Sequence, residues 1–255
     1  MNSRKKKLEL IDSLLTIMDE LREKCPWDKK QTIESLRSLT IEETYELSDA
    51  IIKKDFNEIK SELGDLLLHI LFYSKIASEN NDFDFGDVAK SISEKLIYRH
   101  PHIYEEIKVQ DDNQVKRNWE LLKLKSGRKS VFSGIPSSLP EIIKSQRIQD
   151  KAAGVGFKWK NINEAWNKFK EEEKELIEAI NINDKASTEE EFGDLFFSLI
   201  NYARFLDIDP DIALYKTNKK FIGRFQKMEK LIKSENNSIE SMSSEDLIIL
   251  WNKLK

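Results

Sequence analysis

Apolar positions recur three and four residues apart along almost the whole chain, the spacing that gathers them on one side of an α-helix. Leu8, Ile11, Leu14, Leu15, Met18 and Leu21 make the first stripe, and Cys25-Pro26-Trp27-Asp28 interrupts it. The helical pattern resumes from Thr32 to Lys54. A short connection at Asp55–Phe56 leads into a strongly apolar helix from Ile59 to Ser78. Asn80–Phe85 reads as a loop. Asp87 is expected to cap a helix that runs to about Tyr98 and stops ahead of Pro101. After a stretch of different character, 105 to 140, a second helical series follows. Its members are Leu139 to Ala153, Ile162 to Ile180, Thr188 to Leu206, Pro210 to Lys233 and Ser244 to Lys255.

The pattern predicts an all-α protein of two tandem helical-bundle lobes. The lobes span 1–125 and 139–255, joined by a linker at 126–138 that holds Ser126-Gly127-Arg128 and Ser133-Gly134-Ile135-Pro136. Glycine (8) and proline (5) are scarce, which argues against a turn-rich β fold. The formal charge of −4 gives no basic footprint for nucleic acid, and no apolar run approaches the ~20 residues of a membrane helix. The single cysteine, Cys25, excludes an internal disulfide or a CxxC zinc site and reads as buried or incidental. With no apolar leader core at the start, a cytoplasmic protein is expected.

The two lobes repeat one acidic constellation. Glu42-Glu43-x-x-Glu46 matches Glu171-Glu172-x-x-Glu175, and Glu62-x-Gly64-Asp65 matches Glu191-x-Gly193-Asp194. Both pairs align at an offset of 129 residues. Lys95-Leu-Ile-Tyr-Arg99-His100 aligns more loosely with Lys220-Phe-Ile-Gly-Arg224-Phe225, at an offset of 125.

Residues three and four apart share a helix face. Glu43 with Glu46, and Glu62 with Asp65, should therefore converge from two antiparallel helices joined by a short turn. Glu172, Glu175, Glu191 and Asp194 should do the same. Converging carboxylates repel and call for a cation, and an all-oxygen set suits Mg²⁺, with Mn²⁺ as a substitute. The competing reading is a solvated acidic face. Against it, both E-x-G-D motifs head apolar runs, Leu66-Leu67-Leu68 and Leu195-Phe196-Phe197. Gly64 and Gly193 each cost a helix ~1 kcal/mol against alanine, which suggests close approach by a neighbouring helix or a ligand. A di-iron bundle would need Glu-x-x-His motifs, and none occurs. His69 reads as a core histidine or one that supports a ligand. His100 and His102 read as phosphate contacts or helix-end groups.

Leu21 through Thr32 with its Cys-Pro-Trp-Asp core, the doubled acidic motifs and Lys95-Leu-Ile-Tyr-Arg99-His100-Pro101-His102 together resemble the MazG family of all-α nucleoside triphosphate pyrophosphohydrolases. The resemblance covers nearly the whole chain, with Gly154-Val155-Gly156-Phe157-Lys158-Trp159 opening the second lobe. It implies a homodimer that assembles four-helix-type bundles, binds Mg²⁺ and cleaves nucleoside triphosphates to monophosphate and pyrophosphate. Broad base specificity and a role in nucleotide-pool housekeeping go with it.

Carried over residue by residue, the resemblance makes Glu172, Glu175, Glu191 and Asp194 metal ligands and catalytic groups. Glu190 would orient the attacking water. Lys168, Glu171, Lys220, Arg224, Trp251 and Lys255 would meet the nucleotide. Glu43, Glu46, Glu62 and Asp65 are the first lobe's metal ligands. Trp251 either stacks on the base or anchors the last helix, and Lys220 and Arg224 either neutralise phosphate or are surface cations. Trp27 reads as a packing residue. The lobes differ, since Cys-Pro-Trp-Asp in the first stands where the second has Gly-Phe-Lys-Trp. The second is favoured as the working site because the tryptophan segment follows it. A helical module that senses nucleotide or scaffolds a dimer without turnover is the alternative.

Overall fold

The computed structural model describes residues 1–105, 114–115, 118–119, 122, 127 and 129–254. Among the described residues there are ten α-helices and no strand. The chain divides into two compact units, Met1–Lys108 and Val109–Lys255. That division falls ahead of the 126–138 stretch read as linker, of which 126 and 128 lie outside the described residues. Residues 129–139 form turns, with the Ser133 amide donating to the Ser130 carbonyl and Leu139 to Pro136. They are tied to the second unit, because the buried Lys151 ammonium donates to the Val131 carbonyl at 3.0 Å.

In the first unit, α1 (Arg4–Lys24) is capped by the Ser3 hydroxyl, and a 3₁₀ turn at Asp28–Lys30 follows the proline break. Thr32 and Ser35 form a capping box that starts α2 (Ile33–Lys53). Lys54 then turns the chain in the left-handed region (φ 58°), and Asp55 caps α3 (Phe56–Glu79). The second unit repeats this turn: Asn183 is left-handed (φ 55°) and Asp184 caps the next helix. Each turn brings the chain straight back, so the two helices flanking it pack along their length.

Helix starts differ from expectation where an acidic residue caps earlier than the apolar pattern begins: α3 starts at Phe56, behind Asp55, rather than at Ile59. The cap of α4 (Phe85–Arg99) is Asp84, and Asp87 answers it from the third helical position. In the second unit α8 begins at Lys185, behind the Asp184 cap, rather than at Thr188. A further short helix, α5 (Pro101–Tyr104), starts on Pro101, where a missing amide costs nothing.

The core of the first unit is Met18, Leu36, Leu71, Phe72 and Ile76, with Leu14, Leu39 and Leu68 packed around it. Arg22 fastens the interrupted segment to this core. Its guanidinium donates to the Asp28 and Gln31 carbonyls and pairs with both Glu79 oxygens, at 3.0 and 2.5 Å.

The second unit comprises α6 (Glu141–Gly154), α7 (Ile162–Asn181), α8 (Lys185–Phe205), α9 (Pro210–Ser234) and α10 (Ser244–Lys253). Ala165 and Ala179 on α7, Ile200 on α8, and Met228 and Ile232 on α9 are buried. Helix α9 packs on α6 and on α10.

Candidate metal and nucleotide site

Helices α2 and α3 bring Glu43, Glu46 and Glu62 together, with one oxygen from each inside 4.8 Å of the others. Helices α7 and α8 do the same with Glu172, Glu175 and Glu191. The caps explain the matching register. Thr32 and Asn161 start the first helix of each pair, and Asp55 and Asp184 the second, so both turns set the same face inward.

Asp65 and Asp194 stand one turn further along. They are not in these trios, but their charges are felt there, Asp65 by Glu43 and Glu62 and Asp194 by Glu191. Glu190 is exposed and also acts on Glu191.

The carboxylates are held at an electrostatic cost. Loss of hydration, then the charges of Asp65 and Glu46, raise the Glu43 pKa above its ordinary value. Loss of hydration, then Glu46 and Asp65, raise Glu62. These two groups are close enough for one carboxyl to donate to the other. Glu175 and Glu191 are raised as well, chiefly by loss of hydration and then by neighbouring carboxylates. One Glu191 oxygen, Oε2, is buried with no hydrogen-bond partner. An all-oxygen set in which Glu43 and Glu62, or Glu175 and Glu191, are raised in pKa, with an orphan acceptor on Glu191, fits a hard divalent cation.

The trios differ in their neighbours. In the second unit Lys168 Nζ lies 2.8 Å from both Glu171 and Glu172, and Glu172 is buried. The hydrogen bonds that Lys168 donates to Glu171 and then to Glu172 push its pKa well above the usual lysine value. The first trio opens on a cleft of about 520 Å³ lined by Glu42, Tyr45, Glu46, Asp49, Lys53, Glu58 and Glu62. Tyr45, Asp49 and Lys53 were not singled out from the sequence. The signal was there: Glu42, Glu46, Asp49 and Lys53 follow at helical spacing along one stripe.

The cationic and aromatic residues belong to another helix pair. Trp251 on α10 lies 4.6 Å from the Phe221 ring and 4.8 Å from the Arg224 guanidinium, both on α9. The indole therefore ties the last helix to α9. Lys220 is exposed one turn before Arg224. Lys255 lies outside the described residues.

Two expectations from the sequence need revision, and two histidines fall within the readings given for them. Among the described residues a Cβ at Gly64 or Gly193 would meet nothing within 4 Å, so no described helix of its own unit packs on either glycine. Trp27 is 57% exposed and is not a packing residue within the chain, because Arg22 and the Asp28 backbone hold the segment instead. His100 serves a helix end, with its Nδ1 2.7 Å from the Leu96 carbonyl. His69 is buried, its Nδ1 has no partner, and loss of hydration lowers its pKa.

A family model described as the MazG nucleotide pyrophosphohydrolase domain matches residues 31–104 and 163–228, which include both acidic sets. The nucleoside triphosphate pyrophosphohydrolase of Escherichia coli (strain K12) is 38% identical over 254 residues, covering 96% of this chain and 97% of that protein. A Thermotoga maritima protein named nucleoside triphosphate pyrophosphohydrolase/pyrophosphatase MazG is 43% identical over 251 residues, covering 96% of each chain. The crystal structure of a mazG-related protein from Thermotoga maritima is 27% identical and covers 44% of this chain and 98% of its own, with a TM-score of 0.40. With the family domain matched in both units and relatives aligned over nearly their full length, this chain belongs to the MazG family.

Proposed function

We propose that this protein hydrolyses nucleoside triphosphates to monophosphate and pyrophosphate with Mg²⁺, accepts several bases, and serves nucleotide-pool housekeeping. The observation that carries this reading is the pair of carboxylate trios, each built on two helices joined by the same turn. The names of the full-length relatives support the substrate and the products.

Glu172, Glu175, Glu191 and Asp194 would hold the metal in the second unit, and Glu43, Glu46, Glu62 and Asp65 in the first. Mn²⁺ would be accepted by the same oxygen donors. Bound there, the cation would neutralise triphosphate charge and acidify a water. The chain's own groups supply the rest. Glu190, exposed beside Glu191, orients the water for attack on the α-phosphorus. Lys168 and Glu171 meet the nucleotide next to the metal ligands. Lys220, Arg224 and Lys255 balance phosphate charge. The water oxygen bonds to the α-phosphorus as its proton passes to a carboxylate of the site, the α–β anhydride bond breaks, and pyrophosphate leaves with the electron pair. The second unit is the proposed working site, since Lys168 and the Arg224–Trp251 pair occur there.

A homodimer is part of the proposal. Leu63 and Ile70 on α3, and Phe192, Phe196 and Leu199 on α8, are each 45–53% exposed. Gly64 and Gly193 leave the same helices open to close approach. A second copy covering these faces would complete four-helix bundles around the carboxylates. The single cysteine supports a cytoplasmic setting, and no helix among the described residues is long and apolar enough to cross a membrane.

The test is product analysis with a panel of nucleoside triphosphates and Mg²⁺. Monophosphate and pyrophosphate in equal amounts are expected. Diphosphate with orthophosphate would overturn the reading.

A further inference from the structure

The repeat places a lysine in one unit where the other has a leucine. Lys168 and Leu39 are related by the same 129-residue offset that aligns the acidic motifs. Leu39 packs against the core of the first unit. Lys168 instead stands between Glu171 and Glu172, 2.8 Å from an oxygen of each. Among the described residues no lysine or arginine pairs with Glu43, Glu46 or Glu62. One trio therefore carries an internal counter-cation, and the other is left with its own repulsion.

We propose that Lys168 makes metal loading of the second unit depend on nucleotide, while the first unit loads a divalent cation by itself. The inference rests on the reading of the trios as metal sites. A cation that binds Glu172 shares that carboxylate with the Lys168 ammonium, which lies 2.8 Å from Oε1. It must either displace that ammonium from a carboxylate that is buried or bind against a like charge. A triphosphate removes this obstacle, because it offers the ammonium another anionic partner within a lysine's reach. Metal and nucleotide then favour each other's binding, and the coupling is reciprocal. In the first unit a divalent cation relieves the repulsion among Glu43, Glu46 and Glu62 directly and displaces no cation. Metal alone therefore binds there.

The experiment is a calorimetric titration of the whole protein with Mn²⁺, first alone and then with an α,β-methylene triphosphate that cannot be cleaved. Glu62→Gln and Glu191→Gln assign the two classes of site to the two units. Wild-type protein is expected to show a tight class lost in E62Q and a weak class lost in E191Q. Lys168→Met should tighten the weak class by about tenfold, the size of effect a single neighbouring charge exerts on a titrating group. The nucleotide analogue should tighten it in wild type and do so far less in K168M. Lys168→Gln, which keeps a polar side chain, should behave as K168M does. An unchanged or weakened second class in both variants would overturn the proposal. So would equal tightening by the analogue in wild type and K168M. Absence of Mn²⁺ binding in both units would overturn the metal-site reading itself, an outcome distinct from these.

Discussion

Replacing Arg22 by methionine tests how the first unit holds the start of α2. Methionine keeps an apolar stem near Phe72, whose ring lies 5.8 Å from the guanidinium carbon. It removes every donor. The Arg22 side chain is 10% exposed, so the Asp28 and Gln31 carbonyls lose a charged partner largely shielded from water. A hydrogen bond to a charged group contributes about 1.5–3 kcal/mol. The Glu79 carboxylate is 38% exposed, and its share of the ion pair is worth about 0–1 kcal/mol after screening by solvent. Because bonds sharing one group do not add, Arg22→Met should cost about 3 kcal/mol. Glu79→Gln, which spares the carbonyl bonds, should cost about 1 kcal/mol or less. Native-state hydrogen exchange read on peptides from α1, α2 and α3 measures both losses in the intact chain. Equal losses in the two variants would refute the reasoning, because they would place the stabilisation in the ion pair.

Other consequences follow from the same geometry. Leu71 is 1% exposed between Met18, Leu36 and Phe72, so Leu71→Ala should cost about 2–5 kcal/mol in urea unfolding of the first unit. The Arg22 hydrogen bond lowers the Glu79 pKa, so that contribution is complete above the ordinary value of 4.5 and is lost as pH falls through the lower folded value. Glu79→Gln should remove this part of the acid sensitivity. Glu43 and Glu62 run the other way: with raised folded values, stability declines as pH rises from 4.5 through those values, and Glu62→Gln should flatten that decline in chelator-treated protein. Turnover in ¹⁸O-water should place the label in the monophosphate, read by mass spectrometry, whereas label in pyrophosphate would exclude attack at the α-phosphorus.

The helices and the doubled motif were legible because both are local. Apolar spacing marks a helix wherever it lies, and carboxylates three and four apart share a face whatever packs on it. Boundaries were less so. Asp84 and Asp87 are both good caps by type, and only the backbone decides which comes first. Arg22 escaped notice because its partners are two carbonyls, which carry no side-chain signal, and Glu79, 57 residues away. The glycines misled for a related reason. Open space at Gly64 and Gly193 depends on what does not pack there, and a residue type cannot report that. Lys168 was readable at i+3 and i+4 from its partners, but its contrast with Leu39 needed the packing of both units.

The central proposal is that the two carboxylate sets are indispensable to pyrophosphohydrolase activity. The most direct measurement is pyrophosphate release from a nucleoside triphosphate with Mg²⁺ by wild-type protein and by Glu43→Gln/Glu172→Gln protein, with helicity checked by circular dichroism. Release that chelator abolishes is expected from the wild type, and none above background from the folded double variant. Undiminished release by that variant would contradict it.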